Sequence, residues 1–79
     1  MAITELTPDQ RQTLRQARER AGLTQVELGK RLGIVSQYVN LIESGKKAAS
    51  LHVLQRLGDE LGLDITVKTI VSIKRKRRS

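Results

Sequence analysis

The 79-residue sequence contains no cysteine, one histidine and a single aromatic residue, Tyr38. Without cysteine there is neither a disulfide nor a thiolate metal site, and one histidine excludes a histidine metal cluster. No paired histidine and carboxylate is spaced for general acid–base catalysis, so we predict no catalytic residues, no metal and no cofactor. A single aromatic side chain also argues against RNA binding by base stacking.

A long apolar run is also absent, since no stretch approaches the roughly 18 residues that a membrane span needs. The sequence does not begin with a basic segment followed by an apolar one, so we expect no secretory signal and a cytoplasmic, nucleoid-associated protein. The lack of cysteine suits a reducing compartment. A chain of 79 residues allows one domain with a small core, and such chains often gain buried area by oligomerisation.

Positive charge is in excess and is concentrated near the C-terminal end. The net charge is +7, and residues 74–78 hold five of the 15 lysine and arginine residues. Such a run favours a polyanionic partner, either nucleic acid or an anionic membrane surface. A solvated, disordered basic tail at 74–79 is an alternative that the sequence leaves open, and the two are compatible.

Capping residues and glycines divide residues 1–62 into four short helices. The expected N-caps share a small polar side chain, and they are Thr7, Thr24, Ser36 and Ser50. Gln10 and Glu27 follow the first two caps by three residues, which predicts two capping boxes. The expected helix ends share a glycine, at Gly22, Gly33, Gly45 and Gly62.

After Gly62 the hydrophobic period changes from helical to alternating. Residues 63–71 are rich in β-branched side chains and predict one strand, within a segment 63–73 that follows the helical domain. A lone strand leaves its backbone unpaired, and the simplest partner is the same strand of a second subunit. We therefore predict an all-α fold with one C-terminal β-strand, dimerising through an intersubunit β-ribbon. The expected dimer contacts are Leu63, Ile65, Val67 and Thr69.

The spacing of residues 24–45 favours two helices joined by a tight turn, the unit that presents a helix to the DNA major groove. On the second of these helices, Val39 and Ile42 share the face expected to pack inward. The opposite face carries short uncharged side chains, whereas a purely structural surface helix would carry charged ones. Amides there suit adenine, which offers an acceptor beside a donor. Leu41 on that face fits either a thymine methyl contact or an ordinary exposed apolar residue.

Several motifs occur together within roughly residues 10–62. They are RERAGLTQVEL at 18–28, Gly33-Ile34, Val39, Ile42-Glu43-Ser44-Gly45 and residues 54–62. In combination they resemble the Xre family of lambda-repressor-like helix-turn-helix proteins. The stretch 61–67 resembles a subgroup, the HipB-type antitoxins of kinase toxins, in which a strand after the helices pairs across a dimer.

The resemblance implies roles for particular positions. Gln25, Lys46 and Lys47 would contact phosphate, Ser36, Gln37, Asn40 and Leu41 would contact bases, and Tyr38 would lie beside the backbone or a base edge. Arg18 and Glu43 would form a structural ion pair that holds the first helix on the third. Gly29 and Gly58 stand where the family usually carries alanine, which predicts either weaker helices or tight contacts that require glycine.

The expected function is that of a bacterial repressor that binds an inverted-repeat operator in double-stranded DNA as a homodimer. We favour an antitoxin that represses its own operon and binds a HipA-like kinase toxin. Two alternatives stay open: a free-standing Xre-type or phage-like repressor, and a protein that mainly binds a toxin and binds DNA weakly. We expect no membrane partner.

Overall fold

The computed structural model describes residues 3–67 and 71–75, which form four helices and two small antiparallel sheets. In chain order the elements are β1 (Ile3–Thr4), α1 (Pro8–Arg20), α2 (Gln25–Leu32), α3 (Ser36–Ser44), β2 (Ala49–Ser50), α4 (Leu51–Leu61), β3 (Leu63–Val67) and β4 (Val71–Arg75). β1 pairs with β2, and β3 pairs with β4. The predicted four-helix arrangement is confirmed. None of the helices in these ranges combines the length and the apolar character that crossing a membrane requires.

The first two helices begin at reciprocal hydrogen bonds. The Thr7 hydroxyl accepts from the Gln10 N–H at 3.1 Å, and the Gln10 side-chain oxygen accepts from the Thr7 N–H at 2.9 Å. Thr24 and Glu27 repeat the arrangement at 3.0 and 2.9 Å. The Thr24 backbone N–H, which donates to the Glu27 carboxylate, lowers the pKa of that carboxyl. Both predicted capping boxes are therefore confirmed.

One apolar core is shared by the four helices and β3. Its buried members are Leu14, Ala17, Leu23, Leu28, Leu32, Val39, Ile42, Ala49, Leu54, Leu57 and Leu63. Each leucine of this set contributes about 1.5–3 kcal/mol relative to an exposed position. Ala21, the C-cap of α1, is exposed.

Two glycines lie where backbone segments approach closely. A Cβ added to Gly29 would lie 2.7 Å from the carbonyl oxygen of Ile34, and one added to Gly58 would lie 2.9 Å from the carbonyl oxygen of Leu63. Backbone atoms cannot move aside without shifting the α2–α3 turn or the start of β3. Of the two interpretations of these glycines, the structure supports the tight contact.

The C-terminal segment forms a hairpin within one chain. β3 pairs with β4 in a register that places Leu63 opposite Arg75 and Ile65 opposite Ile73. The prediction of one strand over 63–71 is corrected to two strands that pair within the chain, and pairing with a second copy stays a prediction. Residues 68–70 carry no glycine, proline, asparagine or aspartate, so the sequence contains no hairpin-turn signal there. Lys74 and Arg75 extend the ladder, although the sequence assigned them to the tail.

The hairpin packs one face on the helical core. Leu63 is 2% exposed, and Ile65 and Ile73 are half-buried against the core. The helical core therefore covers the Ile65 face, and Leu63 and Ile65 contribute to the core of their own chain. Their side chains are therefore directed to the core, and a dimer contact at these positions would be made by the strand backbone. The dimer contact itself stays a prediction. The Val67 side chain, residues 68–70 with Thr69, and residues 76–79 lie outside what the structure describes.

Candidate nucleic-acid interface

Helix α3 has one face in the core and one face open to solvent. Val39 and Ile42 are each 3% exposed, as their spacing predicts. On the opposite face Gln37, Asn40 and Ser44 are exposed and Leu41 is half-buried. The sequence-predicted division of this helix into an inner apolar face and an outer uncharged face is confirmed.

A buried ion pair holds α1 against α3. Arg18 Nε donates to Glu43 Oε2 at 2.7 Å, and Arg18 Nη2 donates to Glu43 Oε1 at 3.1 Å. The third guanidinium nitrogen, Nη1, donates to the carbonyl oxygen of Leu23 at 2.8 Å, which also fixes the loop before α2. The Glu43 side chain is only 5% exposed. Its hydrogen bonds raise the pKa of Arg18. The ion pair implied by the resemblance is therefore present. Its two parallel hydrogen bonds form a bidentate contact, the strongest arrangement for arginine and carboxylate.

Gln25 connects this ion pair to the outer face of α3. Gln25 Nε2 donates to Glu43 Oε1 at 3.1 Å, and Asn40 Nδ2 donates to Gln25 Oε1 at 3.3 Å. A continuous chain of hydrogen bonds therefore runs from Arg18 in α1 to the exposed amide of Asn40. We call it the Arg18–Asn40 chain. The family resemblance implied only a phosphate contact for Gln25, and nothing in helix periodicity relates positions 25 and 40.

The amides on the outer face keep hydrogen-bonding capacity for a ligand. Asn40 uses one of its two N–H groups in the Arg18–Asn40 chain, which leaves the other N–H and its carbonyl oxygen. The Gln37 side chain makes no hydrogen bond to any group in residues 3–67 and 71–75. Asn40 is thus held in place while Gln37 is free to adapt.

The start of α3 differs from the sequence-based expectation. Ser36 is the first helical residue, and Val35 occupies the N-cap in extended conformation with ψ 146°. No side chain of the described residues accepts a hydrogen bond at this cap. The prediction that Ser36 caps the helix is wrong, because the chain already turns helical at that residue. Ser36 is half-buried, whereas Val35 is 69% exposed.

The comparison with known proteins agrees with this geometry. A helix-turn-helix family model matches residues 14–68, from within α1 to just beyond β3. The chain belongs to the Xre, lambda-repressor-like helix-turn-helix family. Its members are DNA-binding transcription regulators, and α2 and α3 are the two helices of the motif. Comparisons with curated proteins and with solved structures return no significant match.

In this helix-turn-helix protein Tyr38 belongs to the scaffold. Its ring packs against the core, and its hydroxyl accepts from the Ser50 N–H at 3.4 Å, which ties α3 to the start of α4. Lys47 Nζ lies 5.4 Å from the ring centroid, within the range of a cation–π interaction. Tyr38 thus packs against the core and also positions the Lys47 side chain.

Basic side chains surround the C-terminal end of α3. Lys46 and Lys47 are exposed directly after Gly45. Arg11 is half-buried, donates to the Leu6 carbonyl oxygen at 3.1 Å, and packs so closely on Gly45 that an added Cβ would lie 2.5 Å from its Cζ. These residues line an open cavity of about 250 Å³ with a polar lining. The structure therefore shows Arg11 as an anchored guanidinium at this cavity.

The core of the helix-turn-helix domain is closely packed within the described residues. The cavity inside the core measures about 10 Å³, which is at the lower limit for holding a single water. Within residues 3–67 and 71–75, no three histidine, cysteine or acidic side chains converge as metal ligands. The exposed face of α3, with the Arg18–Asn40 chain behind it and basic residues at its end, is the candidate site.

Proposed function

We propose that this regulator is a repressor that reads an operator in double-stranded DNA through the outer face of α3. The observation that carries the proposal is the Arg18–Asn40 chain, in which a buried ion pair orients an exposed amide on the helix-turn-helix. Gln37 lies on the same face with its whole amide available. An amide can contact adenine through both its acceptor and its donor in the major groove, and this contact discriminates adenine from the other bases.

The charge distribution supports the same docking. The proposed base-reading face is uncharged, and Lys46, Lys47 and Arg11 lie at the end of the helix rather than on that face. Phosphate contacts position a protein on the duplex, and base contacts specify the sequence. We propose that these cations contact phosphates. The Gln25 amide keeps a second N–H after its bond to Glu43, and we assign that N–H to a phosphate as well.

We further propose that the regulator binds DNA as a homodimer on an inverted repeat. Each copy has one recognition helix, the nine-residue α3, and one such helix contacts a single half-site. Within the described residues β3 and β4 have one neighbouring strand each. The Val71 carbonyl oxygen of β4 accepts from Gln10 Nε2 at 2.7 Å, so the outer edge of β3 is the one that we assign to a second copy. The half-site centres should lie about 34–36 Å apart or a multiple of that. Sedimentation of the protein alone and with the duplex measures the stoichiometry, and one copy per specific duplex would contradict this part.

The test of the proposal is a selection of bound duplexes from a random pool, followed by competition between the selected duplex and random DNA. Gln37→Ala should weaken the selected duplex by about 1–3 kcal/mol and leave random DNA nearly unchanged, because the side chain carries no charge. Lys46→Ala is the matched control and should weaken both duplexes alike. If no sequence is enriched, or if folded Gln37→Ala and Asn40→Ala both keep the wild-type preference, α3 is not the reader.

As the biological setting we propose an antitoxin that represses its own operon and binds a HipA-like kinase toxin. Its support is the resemblance of residues 61–67 to HipB-type antitoxins, which covers the end of α4 and β3. The test is co-purification with the product of the neighbouring gene. A kinase-like neighbour that binds would support the antitoxin. A neighbour that is not kinase-like, or that does not bind, would favour a free-standing repressor.

A further inference from the structure

We propose that Val35 is a specificity-determining residue whose side chain contacts a thymine methyl group in the major groove. The inference rests on the proposed function and adds a base contact that is not made by an amide. Its starting point is the position of Val35 at the N-cap of α3, with 69% of the residue exposed.

Valine at this position does not stabilise the helix. An N-cap stabilises a helix when its side chain accepts a backbone N–H, which a valine cannot do. The other three described helices use such an acceptor, at Thr7, Thr24 and Ser50. Among the described helices, α3 alone begins without one. The helix proposed to enter DNA is therefore the one that lacks a cap.

Valine at this position does not stabilise the core either. Two large apolar residues in the described ranges are well exposed, Val26 at 52% and Val35 at 69%. Val26 lies within α2, where a valine at least continues the helix. Val35 precedes α3, next to Ser36 and Gln37, and its exposed methyl groups are available to a ligand.

The docking of a helix-turn-helix identifies the class of ligand. The N-terminal residues of the recognition helix contact base edges in the major groove. The only apolar group that a base presents there is the C5-methyl group of thymine. An exposed valine at the start of α3 therefore fits the thymine methyl group, whereas a serine has no methyl group for this contact.

The experiment replaces thymine by uracil, which removes the methyl group and keeps the base pair. Each thymine of the duplex selected with the full-length protein is replaced in turn, and binding is measured for the wild type and for Val35→Ser. At one thymine per half-site the wild type should lose about fourfold in affinity, the effect of one buried methylene-sized group. Val35→Ser should bind the thymine and uracil duplexes equally at that position.

Val35→Ser and its control Val26→Ser separate loss of the methyl contact from loss of folding. Val35→Ser supplies a cap and should raise the thermal midpoint by about 4–8 °C, so weaker binding would not reflect unfolding. Val26→Ser, the matched change on α2, should keep the wild-type response to uracil. The inference is overturned if Val35→Ser and the wild type respond alike at every thymine, or if the wild type responds at none. A selection that enriches no duplex would instead overturn the proposed function.

Discussion

The side-chain amide of Asn40 donates to the side-chain oxygen of Gln25 at 3.3 Å, and Gln25 in turn donates to Glu43 at 3.1 Å. The exposed amide on α3 is thus oriented before any ligand arrives. Ordering a side chain on binding costs about 0.5–1.5 kcal/mol, and an amide that is already held avoids part of that cost. We therefore expect Gln25 to act on base recognition through Asn40 as well as on phosphate directly.

This relationship predicts coupling between Gln25 and Asn40 in DNA binding. We expect Gln25→Ala, Asn40→Ala and the double variant to be non-additive on the selected duplex, by at least about 0.5 kcal/mol. Gln25→Ala should also lower the preference for the selected duplex over random DNA, which removal of a phosphate interaction alone would not do. Additive losses with an unchanged preference would show that the hydrogen bond has no part in recognition.

The buried ion pair should dominate the electrostatic contribution to stability. Glu43→Gln leaves the Arg18 charge enclosed without its carboxylate, and we expect a loss of about 3 kcal/mol in the free energy of unfolding. The control is Glu60→Gln in the Arg31–Glu60 pair, whose atoms lie 3.6 Å apart with side chains 57% and 33% exposed. That change should cost less than about 1 kcal/mol. Urea unfolding measures both, and equal small losses would contradict the difference that we assign to burial.

Alanine at position 29 should destabilise the protein although it favours helix formation. The gain in helix propensity is about 1 kcal/mol, but the new Cβ would lie 2.7 Å from the Ile34 carbonyl oxygen. Overpacking of this kind costs about 1–3 kcal/mol, so we expect a net loss. Lys30→Ala, at the exposed next position, reports the effect of propensity alone. If the thermal midpoint of Gly29→Ala is at or above that of the wild type, the backbone of the α2–α3 turn shifts to admit the new Cβ at little cost in free energy.

The second capping box should make stability depend on acid pH. The folded state holds the pKa of Glu27 below its ordinary value of 4.5, chiefly through the Thr24 N–H. The contribution is therefore complete above the unfolded pKa and is lost as pH falls through the lowered folded pKa. Glu27→Gln should keep the box, as Gln10 does in α1, and flatten the fall of the thermal midpoint below pH 4.5. Glu5→Gln, at an exposed position, is the control, and an equal flattening there would refute the assignment.

The basic residues beyond the hairpin should add affinity without sequence preference. Ending the chain after Arg75 removes Lys76, Arg77 and Arg78 and leaves the β3–β4 pairing intact. A log–log plot of affinity against salt should become flatter by about 0.9 for each phosphate that these residues neutralise in the full-length protein. The ratio of selected to random binding should stay constant. An unchanged slope would mean that these residues are only solvated or serve another partner.

Local signals in the sequence determined the helical part of this protein. The capping boxes at Thr7 and Thr24 act over three residues, and the inward face of α3 follows from the spacing of Val39 and Ile42. Such features depend on residues that are close along the chain, so they can be predicted from the sequence. The family followed from motifs of the same local kind. The Arg18–Glu43 pair came from the resemblance, because residues 25 positions apart have no local pattern that joins them.

The tertiary structure alone decided the contacts between distant segments. β3 pairs with β4 although residues 68–70 include no turn-forming residue type, and Leu63 and Ile73 pack against the helical core. The link from Gln25 to Asn40 and the close approach at Gly29 likewise depend on how α2 and α3 meet. Alternation in the sequence established that the C-terminal segment is extended. Which strand pairs with it depends on where the chain returns in space, and in this protein β3 pairs with β4 of the same chain.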